Sequence, residues 1–248
     1  MNPIKRIVAV FVSAVMIHLA FVSCVAIKDF KGNQEGTVLN LSKQGLTELP
    51  ASVFEDTTIK TLRLFENSLD SIPARIGELT QLESLYLGRN NLTTLPPEIG
   101  ALKKLKILSI QYNNLTELPA EIGQLESLEQ LWINVNQLTK LPPEIGNLKK
   151  LVVLNVQFNQ LDSLPSEIGN CESLGFIRLN RNNLIALPES MGKLSHLKEI
   201  YLAGAGALLD VPESFCDLRF LELIQIDNAT ALPACLYVLQ ANRLRIIR

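Results

Sequence analysis

Apolar residues recur along this chain in a fixed frame. In one copy Leu82, Leu85, Leu87, Leu92, Leu95, Ile99 and Leu102 are apolar, Asn90 stands among them, and Pro96 and Gly100 punctuate the second half. The asparagine returns at Asn67, Asn90, Asn113, Asn136, Asn159 and Asn182, every 23 residues without a slip. A strict period of this size predicts a stacked solenoid, in which each unit buries its apolar face only against its neighbours.

Within one copy, Leu82, Leu85 and Leu87 turn inward as in a strand, while Glu83, Ser84, Tyr86, Gly88 and Arg89 face out. Asn90 ends the strand. A buried amide has donors and an acceptor for turn groups that lack a sheet partner, so six stacked Asn are expected to form a ladder. Pro96 and Pro97 cannot donate to a sheet, so the chain leaves it there. Pro97-Glu98-Ile99-Gly100 suits a short helical turn, with Pro at its start, an acid near its positive end and Gly at its close. One repeat thus makes one strand, one turn and a short helical segment, with the strands in parallel.

The consensus Leu-x-x-Leu-x-Leu-x-x-Asn-x-Leu-x-x-Leu-Pro-x-x-Ile-Gly-x-Leu resembles the leucine-rich-repeat family, in the 23-residue form shared by bacterial surface repeats and intracellular Ras-associated scaffolds. The resemblance covers roughly residues 36–233. It implies an α/β right-handed solenoid with a parallel concave sheet, short helical or 3-10 convex segments, and a protein-binding role.

Both ends depart from the frame. Gln44 stands in place of Asn and Gly36 in place of the first Leu. Behind Asn182, Ala203-Gly204-Ala205-Gly206-Ala207 occupies the turn, and Ala229 holds the Asn position one unit later. Degenerate terminal copies suit units that lack a partner on one side; the Ala-Gly run is either such a capping irregularity or a binding loop. Arg243, Arg245 and Arg248 suit a charged last edge, and residues 234–248 are expected to form a C-terminal cap.

Ahead of the repeats, Lys5 and Arg6 precede an apolar run from Ile7 to Ser23, which reads as an export signal over residues 1–23. Phe21-Val22-Ser23-Cys24 resembles a bacterial lipoprotein box, with Cys24 as the acylated residue and residues 24–35 as linker or cap; Phe stands where the box usually has Leu. Cleavage after Ala26 and a retained signal-anchor are the competing readings. All three place the mature chain outside the cytosol, in the cell envelope, membrane-anchored or secreted. Losing residues 1–23 removes Lys5 and Arg6 and no acid, so the net charge of −2 becomes −4. That weak acidity, without a basic stripe interleaved with aromatics, argues against nucleic acid.

Cys171 takes a repeat position held elsewhere by Leu125 and Leu148, as a small buried hydrophobe would. Cys216 stands where other repeats have Gly, and Cys235 falls near that column one repeat on. Neighbouring columns lie about 5 Å apart, within reach of a disulfide, so the two can pair or stay free. Catalytic chemistry is thin. His18 and His196 are the only histidines, His196 has no ligand partner at metal spacing, and no phosphate loop, carboxylate pair or triad can be assembled. Neither an enzyme nor a cofactor or metal is expected.

The outward strand positions form one row of Asn40, Arg63, Tyr86, Ser109, Trp132, Asn155, Arg178, Tyr201 and Gln225, taken as exposed. A second row holds Phe65, Gly88, Gln111, Asn134, Gln157 and Asn180; a third holds Glu66, Arg89, Tyr112, Val135, Phe158 and Arg181. The single Trp and three of the four Tyr fall on these rows, and Trp, Tyr and Arg are enriched in binding hot spots. Cross-strand pairing would also place aromatics there. The expected site is an apolar strip of Tyr86, Tyr112, Trp132, Val135 and Phe158, flanked by Arg63, Phe65, Arg89, Arg178, Arg181 and Tyr201. Its ligand would be a protein or peptide; a self-packing envelope protein and an intracellular signalling scaffold are the alternatives.

Overall fold

The computed structural model describes residues 38–208 and 210–248. The export signal, Cys24, the 24–35 segment and Gly36 lie outside the described residues. Ten strands form one parallel sheet in sequence order. They are β1 (Val38–Asn40), β2 (Thr61–Arg63), β3 (Ser84–Tyr86), β4 (Ile107–Ser109), β5 (Gln130–Trp132), β6 (Val153–Asn155), β7 (Phe176–Arg178), β8 (Glu199–Tyr201), β9 (Leu223–Gln225) and β10 (Arg245–Ile247). The repeat sets the register: Leu62 stands opposite Leu85, Leu85 opposite Leu108, and Leu108 opposite Leu131. Behind the sheet, short 3-10 segments such as Pro97–Ala101, Ala120–Gln124 and Pro143–Asn147 each begin beside a proline. Each strand is only three residues long, so Leu82 precedes β3 instead of belonging to it.

Leu and Ile columns fill the space between the two layers; Leu85, Leu108, Leu131 and Ile99 are fully buried. Gly77, Gly100, Gly123, Gly146, Gly169 and Gly192 form a column on the other side. A methyl group on Gly100 would sit 2.8 Å from Glu121 O of the next segment, so the absence of a side chain sets how closely successive segments stack. Cys216 occupies this column where it ends, and is bonded to Cys235 with Cα atoms 5.8 Å apart. Cys235 lies on α1 (Ala234–Gln240), which leads into β10.

The asparagine ladder accounts for the turns. Asn113 Nδ2 donates to Leu87 O and Ile110 O, both at 3.0 Å, and its Oδ1 accepts from Leu92 N at 3.0 Å. Asn136 repeats the set with Ile110 O, Ile133 O and Leu115 N. Each amide therefore ties two successive turns together.

The C-terminal departures have a local explanation. Leu184 N would bond an amide at position 205; with Ala205 there, the carbonyl of Ala205 accepts instead, at 2.6 Å. Gly206 makes this possible: its φ is +137°, and a side chain on it would run into the backbone of Leu184. Gly204 N is accepted by the Asp227 carboxylate at 2.9 and 3.0 Å. One repeat on, Ala229 keeps the Asn position by strand register. Ala229 is exposed, and Thr230 is buried in its stead, donating from Oγ1 to Leu208 O at 3.1 Å.

Candidate protein-binding face

The three outward rows do not all lie in strands. Lys43, Glu66, Arg89, Tyr112, Val135, Phe158 and Arg181 have φ between +55° and +61°. They are turn residues one place before the Asn column, not strand residues as the alternation implied. The reason is geometric: a left-handed residue after a three-residue strand reverses the backbone so that the next side chain, Asn, points into the core. Gly204 continues the column at φ +64°, where glycine meets no steric penalty.

This turn row projects bulky groups into solvent. Tyr112 is 48% exposed and Phe158 49%, while Val135 is half-buried. Most residues avoid a positive φ, and a β-branched residue there is an outlier.

The strand row is less open than expected. Asn155 is 2% exposed and Ser109 5%, so neither belongs to an exposed surface. They stand on either side of the half-buried Trp132 in the ladder. The large indole beside two short side chains accounts for their burial. Trp132 Nε1 donates to Gln130 Oε1 at 3.2 Å, which holds the ring in place. Gly88, in the second row, is also buried: a methyl group there would lie 3.1 Å from Phe65 and 3.0 Å from Gln111.

Two groups of expected site residues come together. At the β2–β4 end the Arg63 guanidinium lies 5.9 Å from the Tyr86 ring, and that of Arg89 lies 5.8 Å from Phe65 and 5.1 Å from Tyr112. At the other end Phe158, Arg178, Arg181 and Tyr201 line an open cleft of about 610 Å³. There Arg178 lies 5.3 Å from the Tyr201 ring. Tyr201 Oη donates to Glu199 Oε2 at 2.7 Å, and this bond, more than burial, raises the Tyr201 pKa above its ordinary value. Trp132 and Val135 lie between the two groups along the ladder. Gly204, Gln225 and Asp227 also line the cleft. Gly204 continues the column of Arg181, and Asp227, two residues after Gln225, continues the row of Asn180.

Cys171 is buried and free, and burial pushes its thiol up to about 12. His196 is exposed, with Nδ1 2.8 Å from Glu172 O. Among the described residues no cluster of His, Cys, Asp or Glu could hold a metal, and no helix is long and apolar enough to cross a membrane.

Comparison with known proteins agrees with this architecture. A leucine rich repeat family matches residues 37–92, and a leucine-rich repeat region family matches residues 97–176. A plant peptide hormone receptor, RGFR1 in complex with RGF2, is 30% identical with a TM-score of 0.74, over 85% of this chain and 35% of the receptor. The leucine-rich-repeat ectodomain of the Arabidopsis thaliana receptor kinase GASSHO1/SCHENGEN3, in complex with Casparian strip integrity factor 2, is 27% identical with a TM-score of 0.73, over 85% and 29%. An internalin, inlF of Listeria monocytogenes, shares the fold at 19% identity and a TM-score of 0.72, over 85% and 60%. The chain spans about a third of the length of the two receptors. No curated protein matches it. Repeat, register and neighbours agree: the chain carries leucine-rich repeats and folds as a leucine-rich-repeat solenoid.

Proposed function

We propose that this chain is an exported, lipid-anchored bacterial protein that binds a protein or peptide partner through its concave face. The observation that carries the reading is the row of Tyr112, Val135 and Phe158. These are bulky apolar side chains held toward solvent on backbone with φ of +56° to +58°. Gly or Asn would fit the same turn with less strain, and strained residues of this kind cluster at ligand sites. Arg stacked on aromatic rings on either side adds residue types enriched in binding hot spots.

Two of the similar structures were solved with bound partners, RGF2 and Casparian strip integrity factor 2. They support a binding role without naming this ligand. Export rests on the Lys5-Arg6 leader, anchoring on Cys24. The Cys216–Cys235 bond suits an oxidising compartment.

The test is capture of partners from envelope and host extracts, followed by affinity measurement. Trp132→Ala should cost about 2 kcal/mol or more of binding while leaving the fold intact. Lys103→Ala with Lys104→Ala, which alters surface contacts to Glu126, Gln124 and Gln81, should leave affinity unchanged. Normal binding by Trp132→Ala together with loss in the lysine variant rejects the reading.

A further inference from the structure

The unit after Asn182 loses two outward side chains at once. Along the second row Gln157 and Asn180 are followed by Ala203, and along the third Phe158 and Arg181 are followed by Gly204. At Gly88 the neighbours close over the missing side chain, with Phe65 and Gln111 at 3.1 and 3.0 Å from where a methyl group would sit. Over Ala203 they do not, and the cleft of about 610 Å³ opens there. That volume lies within the range of small-ligand sites, about 300–1,000 Å³.

The walls of the cleft both donate and accept. Asn180 Nδ2 reaches past β8 to Gln225 Oε1 at 3.3 Å, which leaves Asn180 Oδ1 and Gln225 Nε2 without a partner among the described residues. Asp227 only accepts and Arg181 only donates. Ligand hydroxyls, each donor and acceptor at once, match such a mixed set; an apolar ligand does not. Phe158, 49% exposed, adds a ring face on which an apolar C–H surface can lie.

The charges offset one another. Arg178 and Arg181 stand with the Asp227 carboxylate, which accepts from Gly204 N at 2.9 Å, and with Glu199, which accepts the Tyr201 hydroxyl. The cleft therefore favours neither sign of charge in its ligand.

We infer that this cleft binds a neutral sugar, a mono- or disaccharide unit whose hydroxyls meet the amides and Asp227 and whose C–H face lies on Phe158. A sugar combines dense hydroxyls, no charge and one apolar face in the space available. Such a site is separate from protein contact at Trp132, which lies outside the cleft.

The probes are maltose, cellobiose, lactose, mannobiose and chitobiose, with glucose, galactose and the corresponding glucuronic and galacturonic acids. Titration of the purified full chain, followed by NMR, should show at least one neutral sugar with a Kd of about 5 mM or tighter. The uronic acids should bind no tighter than their neutral counterparts. A203Q restores the side chain that Gln111 and Gln157 carry in that row, fills the cleft and should weaken the sugar about tenfold or more. Q225A should weaken it about fivefold, and serves alone if A203Q does not fold. Trp132→Ala should leave sugar binding unchanged. Enzymatic removal of glycans from a captured partner then assigns the source: a loss of affinity matching that of A203Q marks a sugar carried by the partner, and no change marks a free saccharide.

No neutral sugar bound at about 20 mM overturns the inference, as does a uronic acid about tenfold tighter than its neutral counterpart. So does unaltered sugar binding by folded A203Q, or by Q225A where A203Q does not fold. If sugar binding holds while Trp132→Ala is silent toward a captured partner, the cleft stands and the protein-binding reading falls. If no sugar binds while Trp132→Ala abolishes partner binding, the reverse is true.

Discussion

At the residue scale, the same repeat holds two opposite solutions to one turn. The Asn position is chosen for the fold: Asn136 satisfies Ile110 O, Ile133 O and Leu115 N, all buried. Asn136→Ala leaves these groups without partners and should destabilise by about 1–3 kcal/mol. Asn114→Ala, at an exposed position accepting only from Gln137, should change stability by less than about 0.5 kcal/mol. Urea melts of the two variants check this. The residue just before the Asn is a different matter. Val135 sits at φ +58°, where Asn is tolerated and a β-branched side chain is not. Val135→Asn should therefore raise stability by about 0.5–1 kcal/mol while weakening partner binding. A variant that loses stability and keeps full affinity would show that Val135 serves packing.

The element scale shows what could be read from the chain and what could not. Strands, prolines and 3-10 segments were legible because each repeat prints the same frame six times, and an error in one copy is corrected by the next. The site residues were legible only as rows. Alternation placed Arg89, Tyr112, Val135, Phe158 and Arg181 on strands, whereas a three-residue strand puts them in the turn; period-2 reasoning does not reveal where a strand stops. Asn155 read as exposed because its burial depends on its neighbour in the ladder, Trp132, which no single repeat displays. The end units were least legible: the substitution of the Ala205 carbonyl for a missing amide is a backbone adjustment with no side-chain signature. Those units carry the Cys216–Cys235 bond, which ties α1 and β10 to the last 3-10 segment. In a chain of nearest-neighbour contacts, reducing this bond should loosen only that end. Cys216→Ser with Cys235→Ser should cost about 3 kcal/mol locally, seen as faster amide exchange in residues 210–248 with unchanged exchange around β3–β6. Uniform loosening along the whole sheet would contradict it.

For the whole molecule, the solenoid separates structure from recognition. The Leu columns, the Asn ladder and the glycine column fall on positions facing other repeats, and their identities scarcely vary. The outward rows differ from repeat to repeat, running from Arg63 and Phe65 through Trp132 to Arg178 and Tyr201, so one frame carries a surface that changes along its length. The central claim is that this surface meets the partner, and hydroxyl-radical footprinting of the captured complex tests it without any mutation. The account predicts that Tyr112, Trp132 and Phe158 lose reactivity on binding. It also predicts that Phe220 and Tyr237, large exposed rings at 57% and 47% that lie off the three rows, keep theirs. Protection of Phe220 or Tyr237 with Tyr112, Trp132 and Phe158 as reactive as before would place the partner elsewhere and contradict it.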